Sequence, residues 1–326
     1  MNCTRRSLTT LIVSILLAVP PVAAAQNPVR IPLPPPDGTW TANAEVVPGK
    51  VVTDPALGAG QGVSLHDDHL YFYGDVRIPP PRVGVIKEYT LDLEPTGRSI
   101  TLSKLGKPLI LHPTGLTWDG RWGTFLGDTV EKKATLFRLD WERALRDGNL
   151  DEAILDAIED DAAINGCRPV FVSAGGRTLL ATADYGDIHP EIRLYDPEHL
   201  VASRRSSAPG VVVHRILSGP FNQNLHWDGE KGELICIQNV IEGRGWRLDH
   251  LDLARALADG RVAGPGVRTA SQTFDPHDEL EGFLPLDREK MLFVTSSRRN
   301  NIRLGAVRPI PPRESPPPAK DQGETP

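Results

Sequence analysis

Residues 114–128 read TGLTWDGRWGTFLGD: a polar residue, a glycine, a short apolar strand, a DG turn, a second apolar strand and a closing aspartate. The alternation of apolar and polar positions on either side of turn residues is the mark of an antiparallel hairpin. The same plan recurs as QGVSLHDDHLYFYGD from Gln61, RPVFVSAGGRTLLATAD from Arg168, QNLHWDGEKGELICIQN from Gln223 and EGFLPLDREKMLFVTSS from Glu281. Successive starts lie 53, 54, 55 and 58 residues apart by subtraction, which defines five repeats of one supersecondary unit.

Working outward, each hairpin is followed by a third strand: VGVIKEYTLDL, ATLFRLD, PEIRLYD, GWRLDHLD and NNIRLGAVR. Asp140, Asp196 and Asp252 each precede a helix-compatible stretch, where a carboxylate can accept from exposed first-turn N–H groups. This explains why LDWERALRDGNL (139–150) returns as LDLARALADGRV (251–262). Fourth strands are expected in RSITLSKLG, GVVVHRILSG and GVRTASQTF, whereas repeat two reads LDEAILDAIEDDAAI, an acidic helical pattern in place of a strand. The fifth repeat runs into a proline-rich segment with only three strands, so TWTANAEVVPGKVV near the N-terminus is the expected completing strand.

Four-stranded units of about 50 residues, closed into a ring by one terminal strand, resemble a β-propeller. The expected fold is all-β, a five-bladed propeller with short helices after third strands. It is similar to the secreted propellers related to gluconolactonases and strictosidine synthases, although those commonly have six blades. The expected organisation is a signal peptide over 1–25, a proline-rich linker over 26–38, the propeller over 39–308 and a proline-rich tail over 309–326. Arg5 and Arg6 ahead of an apolar run from Leu11 to Val19, then Ala23, Ala24 and Ala25, read as an export signal toward the periplasm or the exterior, with no transmembrane anchor after cleavage. Without those residues the charge is 34 minus 42, or −8, which disfavours nucleic acid as a partner. Cys167 and Cys236 then remain, as two buried thiols or one disulfide.

A hairpin returns the chain to the end it left, so the residue opening strand one and the residue closing strand two share a rim. The opening column is Gln61, Thr114, Arg168, Gln223 and Glu281, and the closing column is Asp75, Asp128, Asp184, Asn239 and Ser296. The propeller resemblance implies that these ten surround a channel mouth that binds ligands. The candidate ligand-binding set is Gln61, His112, Thr114, Arg168, Gln223 and Glu281. Asp75, Asp128, Asp184 and Glu281 form a candidate oxygen site for calcium, the one cofactor the pattern suggests. The competing reading is that strand-end Asp, Asn and Ser satisfy turn amides. HDDH at 66–69 reads as a turn on the opposite rim, and His226 with Trp227 as inter-blade packing. There is no phosphate loop, nucleophile elbow or CxxC knuckle. Two functions stand: a binding module for a small molecule or partner protein at the polar mouth, or a divalent-cation-dependent hydrolase or lactonase at the same place.

Overall fold

Each hairpin repeat becomes the inner half of one antiparallel four-stranded sheet. The computed structural model describes residues 44–77, 80–131, 133–188, 190–241, 245–259, 267–270, 278–287 and 289–309. The proposed signal peptide, the linker and the tail from 310 onward lie outside the described residues. Blade 1 runs Ala59–His66, His69–Val76, Val83–Thr90 and Pro95–Thr101 from the inside outward. Blade 2 is Pro113–Asp119, Gly123–Val130, Lys133–Leu139 and Ile154–Glu159, and blade 3 is Val170–Ala174, Arg177–Ala183, Glu191–Tyr195 and Val212–Leu217. Blade 4 is Asn222–Asp228, Glu233–Ile241, Gly245–Asp252 and Val267–Ala270. Blade 5 takes Leu280–Pro285, Met291–Thr295 and Ile302–Pro309, and its outermost strand is the N-terminal Ala44–Val52.

The ring therefore closes as the repeat count requires. Ala44–Val52 pairs antiparallel with Ile302–Pro309, from Ala44 opposite Pro309 to Val52 opposite Ile302. The same strand pairs in parallel with the outer strand of blade 4, merging blades 4 and 5 into one eight-stranded sheet.

A blade is apolar on both faces because it is sandwiched between two others, and the core divides accordingly into five clusters, one per interface. Ile86 and Ile100 meet Leu126 and Phe137 between blades 1 and 2. Leu136 and Ile158 meet Leu180 and Tyr195 between blades 2 and 3. Leu179 and Ile192 meet Leu234 and Cys236 between blades 3 and 4. Ile235 and Trp246 meet Phe283 and Phe293 between blades 4 and 5, and Leu292 and Ile302 meet Leu70 and Phe72 across the closure. Burying one such side chain contributes about 1.5–3 kcal/mol. Trp227 packs against the third of these clusters, the inter-blade role expected of it, and Trp118 packs against the first. Cys167 and Cys236 sit in different clusters as free buried thiols.

Three short helices follow third strands: α1 (Trp141–Asp147), α2 (Pro197–Ser203) and α3 (Leu253–Asp259). The capping expectation holds at each. Asp140 accepts from the Arg143 N–H at 3.1 Å, Asp196 from Glu198 at 2.9 Å and Asp252 from Arg255 at 3.0 Å.

One expectation is corrected. Repeat two does not replace its fourth strand with a helix: Ile154–Glu159 is a strand, paired with Lys133–Leu139. Its inward face carries Asp156 and Ile158, and its apolar Leu155 faces solvent. Asp156 is held inside by Arg138 at 3.3 Å and Arg204 at 3.0 Å. A carboxylate on the inner face and a leucine on the outer one erase the period of two, leaving Ile154 and Ile158 at a spacing that imitates a helix.

Candidate functional site

The opening column owes its orientation to a shared irregularity. In blades 1, 2, 4 and 5 the register between the first and second strands slips at the start of the inner strand: between Gly60 and Gly62, Pro113 and Leu116, Asn222 and Asn224, and Leu280 and Gly282. Gln61, Thr114, Gln223 and Glu281 fall in these slips. A bulged residue is released from ladder pairing and its side chain is re-aimed. In blade 3 the corresponding Arg168 precedes the strand, and Pro169 follows it.

Just below these bulges the channel is stitched shut. The Asn224 amide Nδ2 donates to the Gln61 carbonyl at 3.2 Å, the Glu281 carbonyl at 3.1 Å and the Tyr73 hydroxyl at 2.6 Å, joining blades 4, 5 and 1. Glycine is needed here for close approach: a Cβ on Gly282 would meet the Gly62 Cα at 2.9 Å, and one on Gly62 would overlap the Tyr73 hydroxyl and the Asn224 amide.

Above this waist lies a cavity of about 770 Å³ whose wall includes Gln61, His112, Arg168, Gln223 and Glu281. Five of the six predicted ligand-binding residues are thus brought together. The sixth, Thr114, is buried behind the wall, with its hydroxyl 3.5 Å from that of Thr129, which does line the cavity. Arg77, Arg82, Asn165, Tyr185, Glu279 and Arg298 also line it. Glu279 stands two residues before the opening-column Glu281. The others sit in loops between strands two and three or before strand one, where the repeats differ in length and give no register.

Arg168 is 4% exposed. Its Nε donates to the Gln223 carbonyl at 3.1 Å, its Nη1 to the Asn165 carbonyl at 3.4 Å, and its guanidinium lies 5.6 Å from the Tyr185 ring centroid. Burial lowers its pKa, but an arginine starts so high that it remains a cation at neutral pH. Glu281 is 3% exposed, and no cation lies within ion-pair distance of it among the described residues. Burial first, and the neighbouring Glu279 second, push its carboxyl well above the usual carboxylate range. Burial likewise lowers the His112 imidazole, an effect that contact with Asp75 only partly offsets, so the ring is neutral at pH 7.

The closing column serves mainly to clamp incoming chain. Asp128 accepts the His112 N–H at 2.8 Å, Asp184 those of Ile164 at 2.9 Å and Asn165 at 3.2 Å, Asn239 that of Leu280 at 3.0 Å, and Ser296 that of Glu279 at 2.9 Å. Asp75, completely buried, receives Arg77 at 2.9 Å, Arg82 at 2.5 Å and His112 at 3.2 Å. Burial alone would raise its pKa, yet hydrogen bonds from His112 and Arg77 and the Arg82 charge hold it far below the usual range. Asp184 is paired with the buried Arg193.

This donor set does not fit calcium. Asp75 and Asp184 are each committed to guanidinium groups, and among the described residues no three acidic, histidine or cysteine side chains gather in a way that could hold a metal ion. Calcium at 5 mM and EDTA at similar concentration are both expected to leave the melting temperature of the purified protein unchanged, as read by scanning calorimetry. A calcium-dependent rise of several degrees would overturn this.

Asp128 is the clamp with a measurable electrostatic cost. Burial raises it to about 6, above its unfolded value of roughly 3.9. A raised carboxyl costs stability progressively as pH rises from the unfolded value to the folded one and in full above it, and the cost vanishes below the unfolded one. Asp128→Asn keeps an oxygen for the His112 N–H, so it is expected to stabilise the protein by about 1–3 kcal/mol at pH 7.5 and by nothing at pH 3.5. Denaturant titrations at the two pH values check this.

At the other end of the channel the HDDH stretch is a two-residue turn with Asp67 and Asp68 both at positive φ, 46° and 59°. It borders a larger cavity of about 1240 Å³, lined by the far halves of the inner strands, including Leu65, Phe171 and Leu286. That cavity is the roomier of the two, but the buried charges gather in the smaller.

No family model matches the chain, and no curated protein matches it. Among solved structures, the PQQ-bound aldose sugar dehydrogenase of Streptomyces coelicolor aligns with TM-score 0.48 and 13% identity over 82% of this chain and 99% of that one. A protein provisionally described as a gluconolactonase aligns with TM-score 0.32 and 16% identity, covering 59% of this chain, which spans 55% of that protein's length. The Dos1 propeller aligns with TM-score 0.38 and 9% identity over 80% of this chain and 75% of that one. The five-bladed assignment rests on the chain's own sheets and registers, and among the described residues no helix is long and apolar enough to cross a membrane.

Proposed function

We propose that the protein is a binding module that holds a small anionic molecule in the polar mouth of its channel. The observation that carries this reading is Arg168, a guanidinium buried in the cavity wall and held by two backbone carbonyls rather than by a carboxylate. Arg77 and Arg82 line the same cavity. They share Asp75 between them, so one acid balances two bases there. A pre-positioned cation in a concave, partly desolvated site favours an oxyanion, and charge-assisted hydrogen bonds of this kind contribute about 1.5–3 kcal/mol. The export signal read in the N-terminal sequence would place this site outside the cytoplasm.

Titration calorimetry with acetate, butyrate and inorganic phosphate tests the reading. Arg168→Gln is expected to weaken the best of these by about 10- to 100-fold. The reading fails if none binds, or if the variant binds as well as the parent.

A second reading, hydrolysis of an ester or lactone, is favoured by one specific observation. A carboxyl kept protonated by burial, Glu281, and a neutral imidazole, His112, line one cavity, the two protonation states that proton transfer to a leaving group and from water would use. It needs no metal. Turnover of any lactone or ester in a panel, lost in both Glu281→Gln and His112→Gln, would favour it over binding alone.

A further inference from the structure

The five opening positions are the same structural slot repeated, and this internal comparison says more about the ligand than any one residue does. Blades 1 and 4 carry glutamine in the slot, Gln61 and Gln223, and both line the cavity. Blade 2 carries Thr114. Two positions depart from neutrality, Arg168 in blade 3 and Glu281 in blade 5, with blade 4 between them.

Glu281 is almost isosteric with the glutamines and sits in a bulge of the same kind. Shape and simple hydrogen bonding would be met by an amide there, as they are in blades 1 and 4. What a carboxyl adds is the capacity to carry negative charge, and that capacity is costly in a site that is 3% exposed. No described residue offsets the cost by ion pairing with it. The charged groups that bear on it are Arg168, Arg77, Asp75 and Glu279, and Arg298 lines the rim nearby. Arg168 cannot move over to neutralise it while its Nε and Nη1 are fixed to the Gln223 and Asn165 carbonyls. The cavity wall therefore carries a fixed cation and an acid, both buried and not paired with each other, together with two glutamines.

We infer that the molecule bound here is a zwitterion, such as an amino acid or amino-carboxylate, whose carboxylate meets Arg168 and whose protonated amine meets Glu281. This rests on the anion-binding reading and adds the second pole. A hydroxyl at that end would be served equally by the amide found in the other blades, whereas the charge of an ammonium group is balanced by a carboxylate and not by an amide.

The test uses matched pairs on the full mature chain by titration calorimetry: 4-aminobutyrate against butyrate, and L-alanine against propionate and L-lactate. At least one amine is expected to bind 10-fold or more tightly than its amine-free counterparts, and in Glu281→Gln that advantage is expected to fall to within about 2-fold. Because Glu281 gives up a proton to meet the amine, repeating the titration at pH 7 in Bis-Tris and in Tris, two buffers that carry no oxyanion, should show net proton release with the amine and none with butyrate. This readout needs no variant. If the amines and amine-free acids bind alike, or if Glu281→Gln keeps the preference, the zwitterion is excluded while anion binding survives. If no carboxylate binds, both fail.

Discussion

Arg193→Met is expected to destabilise the protein by about 3–5 kcal/mol at neutral pH, the range found when one partner of a buried ion pair is removed. Arg193, in the third strand of blade 3, is completely buried. Its Nη1 and Nη2 meet Asp184 at 2.5 and 3.1 Å, and its Nε meets the Tyr195 hydroxyl at 2.9 Å, which in turn donates to Asp160 at 2.6 Å. One guanidinium thus compensates two carboxylates, and methionine would fill its volume while leaving both acids buried without a cation. Burial already raises Asp160, and Arg193 is the largest influence pulling it down. In the variant Asp160 would relieve its cost by taking up a proton. A carboxyl raised in the folded state loses stability as pH rises, so the deficit should shrink on going from pH 8 to pH 5. Equilibrium denaturation at both pH values checks size and direction together. A deficit below 1 kcal/mol, or one that grows toward pH 5, would refute the account. The substitution should also reach the binding site, because Asp184 holds the Asn165 N–H and the Asn165 carbonyl holds Arg168.

That chain of contacts shows why part of the site was legible in the sequence and part was not. The hairpin pattern is local: five polar residues at one phase of five repeats had to reach one rim, and four of the five line the cavity there. The signal for their bulged setting was also present, since glycine follows Gln61, Thr114 and Glu281 and only later shows its purpose at the channel waist. Of the closing column only Ser296 lines the cavity, and the chemistry of the other four belongs to partners remote in sequence. Asp75 meets His112 37 residues away, and whether an aspartate is free to bind a cation or is spent on an arginine cannot be read from its own neighbourhood. Arg77 and Arg82 flank the sequence IPPP in blade 1, a stretch with no counterpart in the other repeats, so no column pointed to them. The fourth strand of blade 2 was hidden by a similar distant pairing, Asp156 with Arg204.

Removing residues 1–52 is expected to abolish cooperative folding, because the ring is then left open at its one non-sequential junction. The missing strand, Ala44–Val52, supplies the ladder to Ile302–Pro309 and the parallel contact to Val267–Ala270, so two blades lose their edge partner at once. Val46 goes with it, 4% exposed among Trp246, Phe283 and Phe293. Unpaired edges of this length template aggregation. What still ties blade 5 to blade 1 is the cluster of Leu292 and Ile302 with Leu70 and Phe72, together with the completely buried Asn301, whose Oδ1 accepts the Asp54 N–H at 3.0 Å and whose Nδ2 donates to the Asp54 and Gly58 carbonyls at 2.8 and 3.3 Å. Three hydrogen bonds at about 1 kcal/mol each cannot replace a strand and its share of an inter-blade core. The two perturbations should therefore grade: Asn301→Ala costs about 3 kcal/mol and keeps a single transition, while the truncated chain shows none and sediments as aggregate. Calorimetry with analytical ultracentrifugation distinguishes them. A truncated protein that melts sharply within a few degrees of the full chain would mean that the N-terminal strand decorates the ring rather than closing it.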